Sequence, residues 1–231
     1  MKHFIATFVA LVLLVVSTKA QECSYMQLRQ GAVYAYNMFD AKDKPSGSVT
    51  YNVKDAQNKD GGVEATVHVQ TKDEKGKDIH QSEARYVCNG EKFLVDMNAM
   101  LSGQQEAFKN MEVKGDASYI EFPTELVEAS TLPDGKMHLD VYSDGQLTGT
   151  IDLNVTERKV EAKESINTPA GTYDAYRIKS KMNTSLKIAG IGFPTETNMV
   201  EWYAKGVGMV KQESYNKNGK KTSSIVLASM K

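Results

Sequence analysis

The chain has 231 residues, with 28 basic against 29 acidic side chains and 41% hydrophobic residues. That length accommodates one large domain or two small ones, and a near-neutral charge without a basic stripe argues against nucleic-acid binding. Two cysteines allow at most one internal disulfide.

The first twenty residues read as an export signal. Lys2 supplies a basic start, residues 4–16 form an uncharged apolar run, and Thr18-Lys19-Ala20 ends on a small residue. The run is shorter than the roughly 20 residues a membrane-spanning helix needs. Cleavage is therefore expected after Ala20, leaving residues 21–231 as a single domain without a transmembrane segment, periplasmic or secreted. Glu22 stands where lipidation of Cys23 would require a small residue. In an oxidising compartment Cys23 and Cys88 are expected to pair, and closing so long a loop contributes roughly 4 kcal/mol.

From there period-two alternation dominates. Val63, Ala65, Val67 and Val69 alternate with Glu64, Thr66, His68 and Gln70, and similar patterns run through 137–142 and 151–156. Twelve strands are predicted, at 32–40, 48–56, 63–71, 79–88, 92–96 and 119–122, then at 137–142, 148–164, 172–188, 197–203, 208–215 and 222–228. Between 96 and 119 the pattern breaks. Ser102-Gly103-Gln104-Gln105 resembles a capping box, and Ala107, Phe108 and Met111 follow at helical spacing, which predicts one short helix lying on the sheet.

Turn chemistry joins these strands into consecutive hairpins. Thr168-Pro169-Ala170-Gly171 places Pro at the fixed-φ position of a type I turn and Gly where the chain must go left-handed, and Leu132-Pro133-Asp134-Gly135 repeats it. Asp73-Glu74-Lys75-Gly76 and Asn216-Lys217-Asn218-Gly219 use the same frame, and Asp144-Gly145 is a tighter version. Gly206 and Gly208 around Val207 suggest a bulge or a close backbone approach. Long neighbouring strands must twist and coil. The expected fold is mainly β: a large, strongly curved antiparallel sheet or partly open barrel of hairpins, with one short helix packed on it.

Chemistry is sparse. His68 and His138 fall on polar strand faces near Glu64 and Asp140, but no His-x-x-His or His-Glu-x-x-His spacing gathers ligands for a metal. No nucleophile elbow or phosphate-cradling glycine loop occurs. The reading is a non-enzyme without cofactor or metal; a hydrolase using His68 or His138 is the weakest alternative. The run Glu157–Glu164 reads as a solvated face with cross-strand ion pairs. Tyr173, Tyr176, Trp202 and Tyr203 form either an aromatic platform for a ligand or ordinary core, and core is the simpler reading. Met97, Met100, Leu101, Phe108 and Met111 surround the expected helix, where methionines suit a core or an adaptable groove. Core is again the simpler reading, because a lone helix on a sheet must bury something.

Several stretches together resemble a known family: "CSYM" at Cys23–Met26, "CNG" at Cys88–Gly90 and "ERKVEAKE" at Glu157–Glu164. The most specific are "TPAGTYDAYRI" at Thr168–Ile178 and "WYAKGVGMVKQESY" at Trp202–Tyr215. They are similar to the TapB-like family of exported proteins of Bacteroides-type bacteria, a 3108-like domain of unknown function. The resemblance implies a β-rich envelope domain with a curved sheet, and no catalytic residues. The leading expectation is an exported, non-catalytic binding or scaffold domain whose partner is an envelope protein or a hydrophobic small molecule. The alternative is a carrier that holds a lipid-like ligand on the concave face of the sheet.

Overall fold

The computed structural model describes residues 25–59, 61–101 and 111–231. Among these residues thirteen strands follow in chain order. They are β1 (Val33–Asp40), β2 (Pro45–Lys59), β3 (Gly62–Asp73), β4 (Asp78–Cys88), β5 (Lys92–Asp96), β6 (Glu112–Lys114) and β7 (Tyr119–Pro123). There follow β8 (Gly135–Ser143), β9 (Gln146–Thr168), β10 (Gly171–Ile188), β11 (Ile191–Ala204), β12 (Gly208–Asn216) and β13 (Lys221–Met230). Twelve of these match expected strands; β6 falls beyond the stretch given to a helix. A 3-10 turn, Met97–Leu101, follows β5. The expected helix itself lies outside the described residues except for Met111.

All thirteen strands share one antiparallel sheet in the order β6-β8-β9-β10-β11-β12-β13-β1-β2-β3-β4-β5-β7. The last strand thus pairs with the first, Tyr36 opposite Leu227, and most other neighbours are sequential hairpins. Register shifts at Ala35/Tyr36, Val53/Asp55 and Trp202/Tyr203 are bulges that increase local twist and coil the sheet around its apolar face. Its two ends come side by side without an observed ladder between β7 and β8. Arg158 on β9 bridges them, donating from Nη1 to the Glu121 carbonyl on β7 at 2.9 Å and to the Pro133 carbonyl ahead of β8.

The turns follow their local chemistry. Asp73 and Asn216 each open a turn by accepting two backbone N–H groups on Oδ1, and Gly76 (φ 80°) and Gly219 (φ 73°) take the left-handed position. Asp40 does the same for a corner the sequence hid, because Asp43 (φ 58°) stands where glycine is usual. The Thr168–Gly171 stretch is a corner too. Thr168 Oγ1 accepts from Ala170 N and donates to Gly171 O, and Gly171 has φ 139°.

The Pro133–Gly135 turn is corrected. Gly135 instead starts β8, and a Cβ there would lie 2.9 Å from Ile120 Cγ1 and 3.1 Å from Met97 Sδ. A close approach between the ends of the sheet calls for that glycine, not a turn. Gly206 turns with φ 76°, whereas Gly208 lets the Tyr25 carbonyl approach within 2.6 Å of where a Cβ would sit.

Strand alternation sends Tyr34, Val53, Val67, Val69, Ile151 and Leu153 to the concave side, all with 1% exposure or less. One end is closed by the segment entering β1. Tyr25, Met26 and Leu28 are buried, and the Tyr25 ring lies 6.4 Å from both Phe93 and Phe122 and 6.5 Å from Tyr203. The turns at 40–45, 73–78, 143–146, 188–191 and 216–221 gather at the other end, since successive strands run in opposite directions.

Candidate functional site

Above the aromatic floor the concave face encloses a cavity of about 780 Å³. Methionines supply much of the wall: Met26, Met38, Met100, Met182, Met199 and Met209. Their unbranched thioethers adapt to irregular shapes. Tyr36, Tyr51, Tyr86 and Tyr203 supply most of the aromatic wall. Tyr36 donates its hydroxyl to the Met209 carbonyl at 2.8 Å and meets Tyr51 edge-on at 5.5 Å. Burial pushes the phenols of Tyr36, Tyr86 and Tyr203 well above their ordinary range and that of Tyr51 to about 12, so all four stay protonated.

One carboxylate breaks this apolar lining. Glu201 on β11 faces inward at 8% exposure, beside Ile178 and Gln212 on the flanking strands. Burial raises its pKa, while the charge of Arg158 and a hydrogen bond from Tyr203 pull the other way. Toward the turn-rich end His80 also lines the cavity; burial lowers its pKa, and its Nε2 is buried without a partner among the described residues. Its position in the inward series His80, Ser82, Ala84, Tyr86 was readable from period-two alternation.

The eight surface candidates disperse. Tyr203 and Met100 line the cavity, and Met97 is fully buried behind Gly135. Met111 packs at the core margin, and Phe108 lies outside the described residues. Trp202 and Tyr203 are consecutive, so they face opposite sides. Trp202 sits on the outer face, donating to Glu164 at 2.6 Å beneath the Lys211 ammonium, 4.5 Å from its ring. Tyr173 braces the corner by donating to the Ala170 carbonyl, and Tyr176 lies under Lys163. A single aromatic platform does not form.

Within Glu157–Glu164 the expected ion pairs are present. Glu161 meets Arg177 at 3.0 Å and Lys179 at 2.7 Å, and Glu157 meets Lys181 at 2.8 Å. Arg158 departs from the expectation of a wholly solvated run. It points inward at 1% exposure, its guanidinium 4.8 Å from the Phe122 ring centre. The bulge at Glu157 (φ 54°) resets the face of the strand just before it.

His138 lies on the outer face, Nδ1 2.6 Å from Asp152 and Nε2 3.4 Å from Asp140, and these carboxylates raise its pKa. His68 faces outward on β3, opposite Glu83 and Asn52. Neither lines the cavity. Among the described residues no group of three or more His, Cys, Asp or Glu is placed to hold a metal, and no helix is long and apolar enough to cross a membrane. Cys23 of the expected disulfide lies outside the described residues; Cys88 is buried on β4.

Two solved structures share this architecture. A candidate lipoprotein from Parabacteroides distasonis superposes with a TM-score of 0.75 at 21% identity, covering 91% of this chain and 100% of that one. A candidate exported protein with YmcC-like fold from Bacteroides fragilis gives 0.71 at 22% identity, covering 90% and 99%. No functionally curated protein matches the sequence. A family model, described as DUF3108-like, matches residues 29–227.

Proposed function

We propose that this chain, which belongs to the DUF3108-like family, is an exported envelope protein that binds rather than catalyses, and that it carries a lipid-like or other hydrophobic ligand on its concave face. The observation that carries this reading is the cavity of about 780 Å³ walled by methionine and tyrosine. Small-molecule sites commonly span roughly 300–1,000 Å³, with apolar walls and few polar groups. A scaffold domain would have its concave face filled by its own side chains. Among the described residues that face is filled at the aromatic floor and open above it.

Export follows from the basic start, the short apolar run and Ala20, and places the protein in the periplasm or outside the cell. A Cys23–Cys88 disulfide fits that compartment. Tyr25, two residues after Cys23, packs against Phe93, which pairs directly with Cys88 across the β4–β5 hairpin. The bond would pin the floor of the cavity to the sheet. Non-reducing peptide mapping of the exported protein should find the two peptides linked; free thiols at both positions would reject the bond.

The function is tested by native mass spectrometry of protein purified from its own envelope. A retained apolar mass, released by organic solvent and present at one per chain, is expected. Protein that leaves the envelope at the mass of the bare chain would count against the carrier.

A further inference from the structure

The concave face does not stop at the cavity mouth. β11 pairs with β12 only from Thr197 onward, so its first six residues, Ile191–Glu196, project past β12 with one edge unpaired among the described residues. At about 3.3 Å per residue that is an overhang of roughly 20 Å. Inward-facing positions along it continue from the cavity wall at Met199 through Thr197 and Thr195 to Phe193 and Ile191. Across the hairpin Leu186 faces Phe193 and Ile188 faces Ile191. Ile191 is 62% exposed, Phe193 53% and Ile188 38%; Leu147, on the neighbouring β8–β9 hairpin, is 58% exposed. Exposed large apolar side chains thus gather on one face, at the end where the cavity lining ends.

The neighbourhood indicates what covers them. Lys187 within the hairpin is paired with Asp152, and Lys221 of the adjacent β12–β13 turn with Asp43. Lys217 and Lys220 of that turn are exposed and, among the described residues, make no ion pair. Strand addition by a protein partner is disfavoured, because Pro194 sits in the free edge strand without an N–H to give. An apolar overhang with lysines at its base matches the interface of a bilayer with anionic headgroups, the apolar tip entering the bilayer below the headgroup layer that the lysines meet.

We propose that the β10–β11 hairpin inserts into the surface of an anionic phospholipid bilayer and brings the cavity mouth against it, so that an apolar ligand passes along the continuous concave face. This rests on reading the cavity as a carrier site. The substitutions that test it fall on exposed side chains, so the fold should survive them, and thermal melting of each variant verifies that.

The exported full-length protein is floated with phosphatidylcholine vesicles, with and without phosphatidylglycerol, and its cavity is titrated separately with N-phenyl-1-naphthylamine. The parent should float with the anionic vesicles. Ile191→Ser/Phe193→Ser and Lys217→Glu/Lys220→Glu should each weaken that binding roughly tenfold or more, with affinity for the naphthylamine probe unchanged. Equal flotation of parent and tip variant, or none by the parent, would overturn the proposal. So would a concentration-dependent dimer that the tip variant abolishes, since a second copy would then be the occupant. Vesicle binding that depends on the tip in a protein that takes up no probe would instead remove the carrier reading and leave the docking surface standing.

Discussion

Arg158 and Glu201 are the two charged side chains whose burial has most to explain. Arg158 satisfies itself on carbonyls of two separate segments, Glu121 and Pro133, and on the face of Phe122. Arg158→Leu leaves those carbonyls without a donor and uncouples the ends of the sheet, so chemical denaturation should show a loss of about 2–4 kcal/mol. Arg158→Lys should recover little, because a single ammonium lacks the guanidinium fork. Glu201 behaves oppositely. Its pKa is raised in the folded protein, first by burial, so the folded state holds its proton more tightly than the unfolded chain. Stability is then highest below the unfolded pKa and falls as pH rises from there through the folded value. Glu201→Gln removes that loss: its melting temperature should exceed the parent's at pH 8 and converge with it at pH 4. A gain of equal size at both pH values would mean that ionisation is not the cause.

At the scale of strands and turns, the corner Thr168–Gly171 has a measurable signature. Gly171 has φ 139°, so Gly171→Val should cost about 1–2 kcal/mol through backbone strain. Thr168→Ala loses its two hydrogen bonds within the turn and should cost less, about 1 kcal/mol. Urea unfolding of both separates them, and a Gly171→Val protein as stable as its parent would contradict the corner. Such elements were largely legible because alternation and turn residues are local properties. β5 matches its expected bounds, and the Asp73 and Asn216 turns use the chemistry their sequences announce. What escaped depended on distant partners. Gly135 looks like a turn glycine until β7 is placed against it. Arg158 looks solvated until the bulge at Glu157 turns it inward. The β10–β11 corner was hidden because Ala189 (φ 47°) stands where glycine or asparagine would have flagged it.

For the whole molecule, a sheet whose last strand pairs with its first, sealed at one end by Tyr25–Leu28 and bulged into a strong coil, leaves space on its concave side that no described residue fills. The sequence indicated the curvature through its long strands, but not the space. Whether inward side chains meet across a coiled sheet depends on its radius, which no local pattern encodes. Hence the methionines expected around the helix, and Trp202 beside Tyr203, could not be sorted into wall, core and outer face beforehand. The carrier account is tested most directly by titrating the protein with N-phenyl-1-naphthylamine beside a Met182→Trp variant. Met182 lines the cavity at a half-buried position, where added bulk occupies ligand space at a folding cost of about 1–3 kcal/mol. The account predicts one saturable site per parent chain, and at least tenfold weaker binding in a variant whose circular dichroism is unchanged. Equal probe affinity in the two proteins, or no saturable binding by the parent, would contradict it.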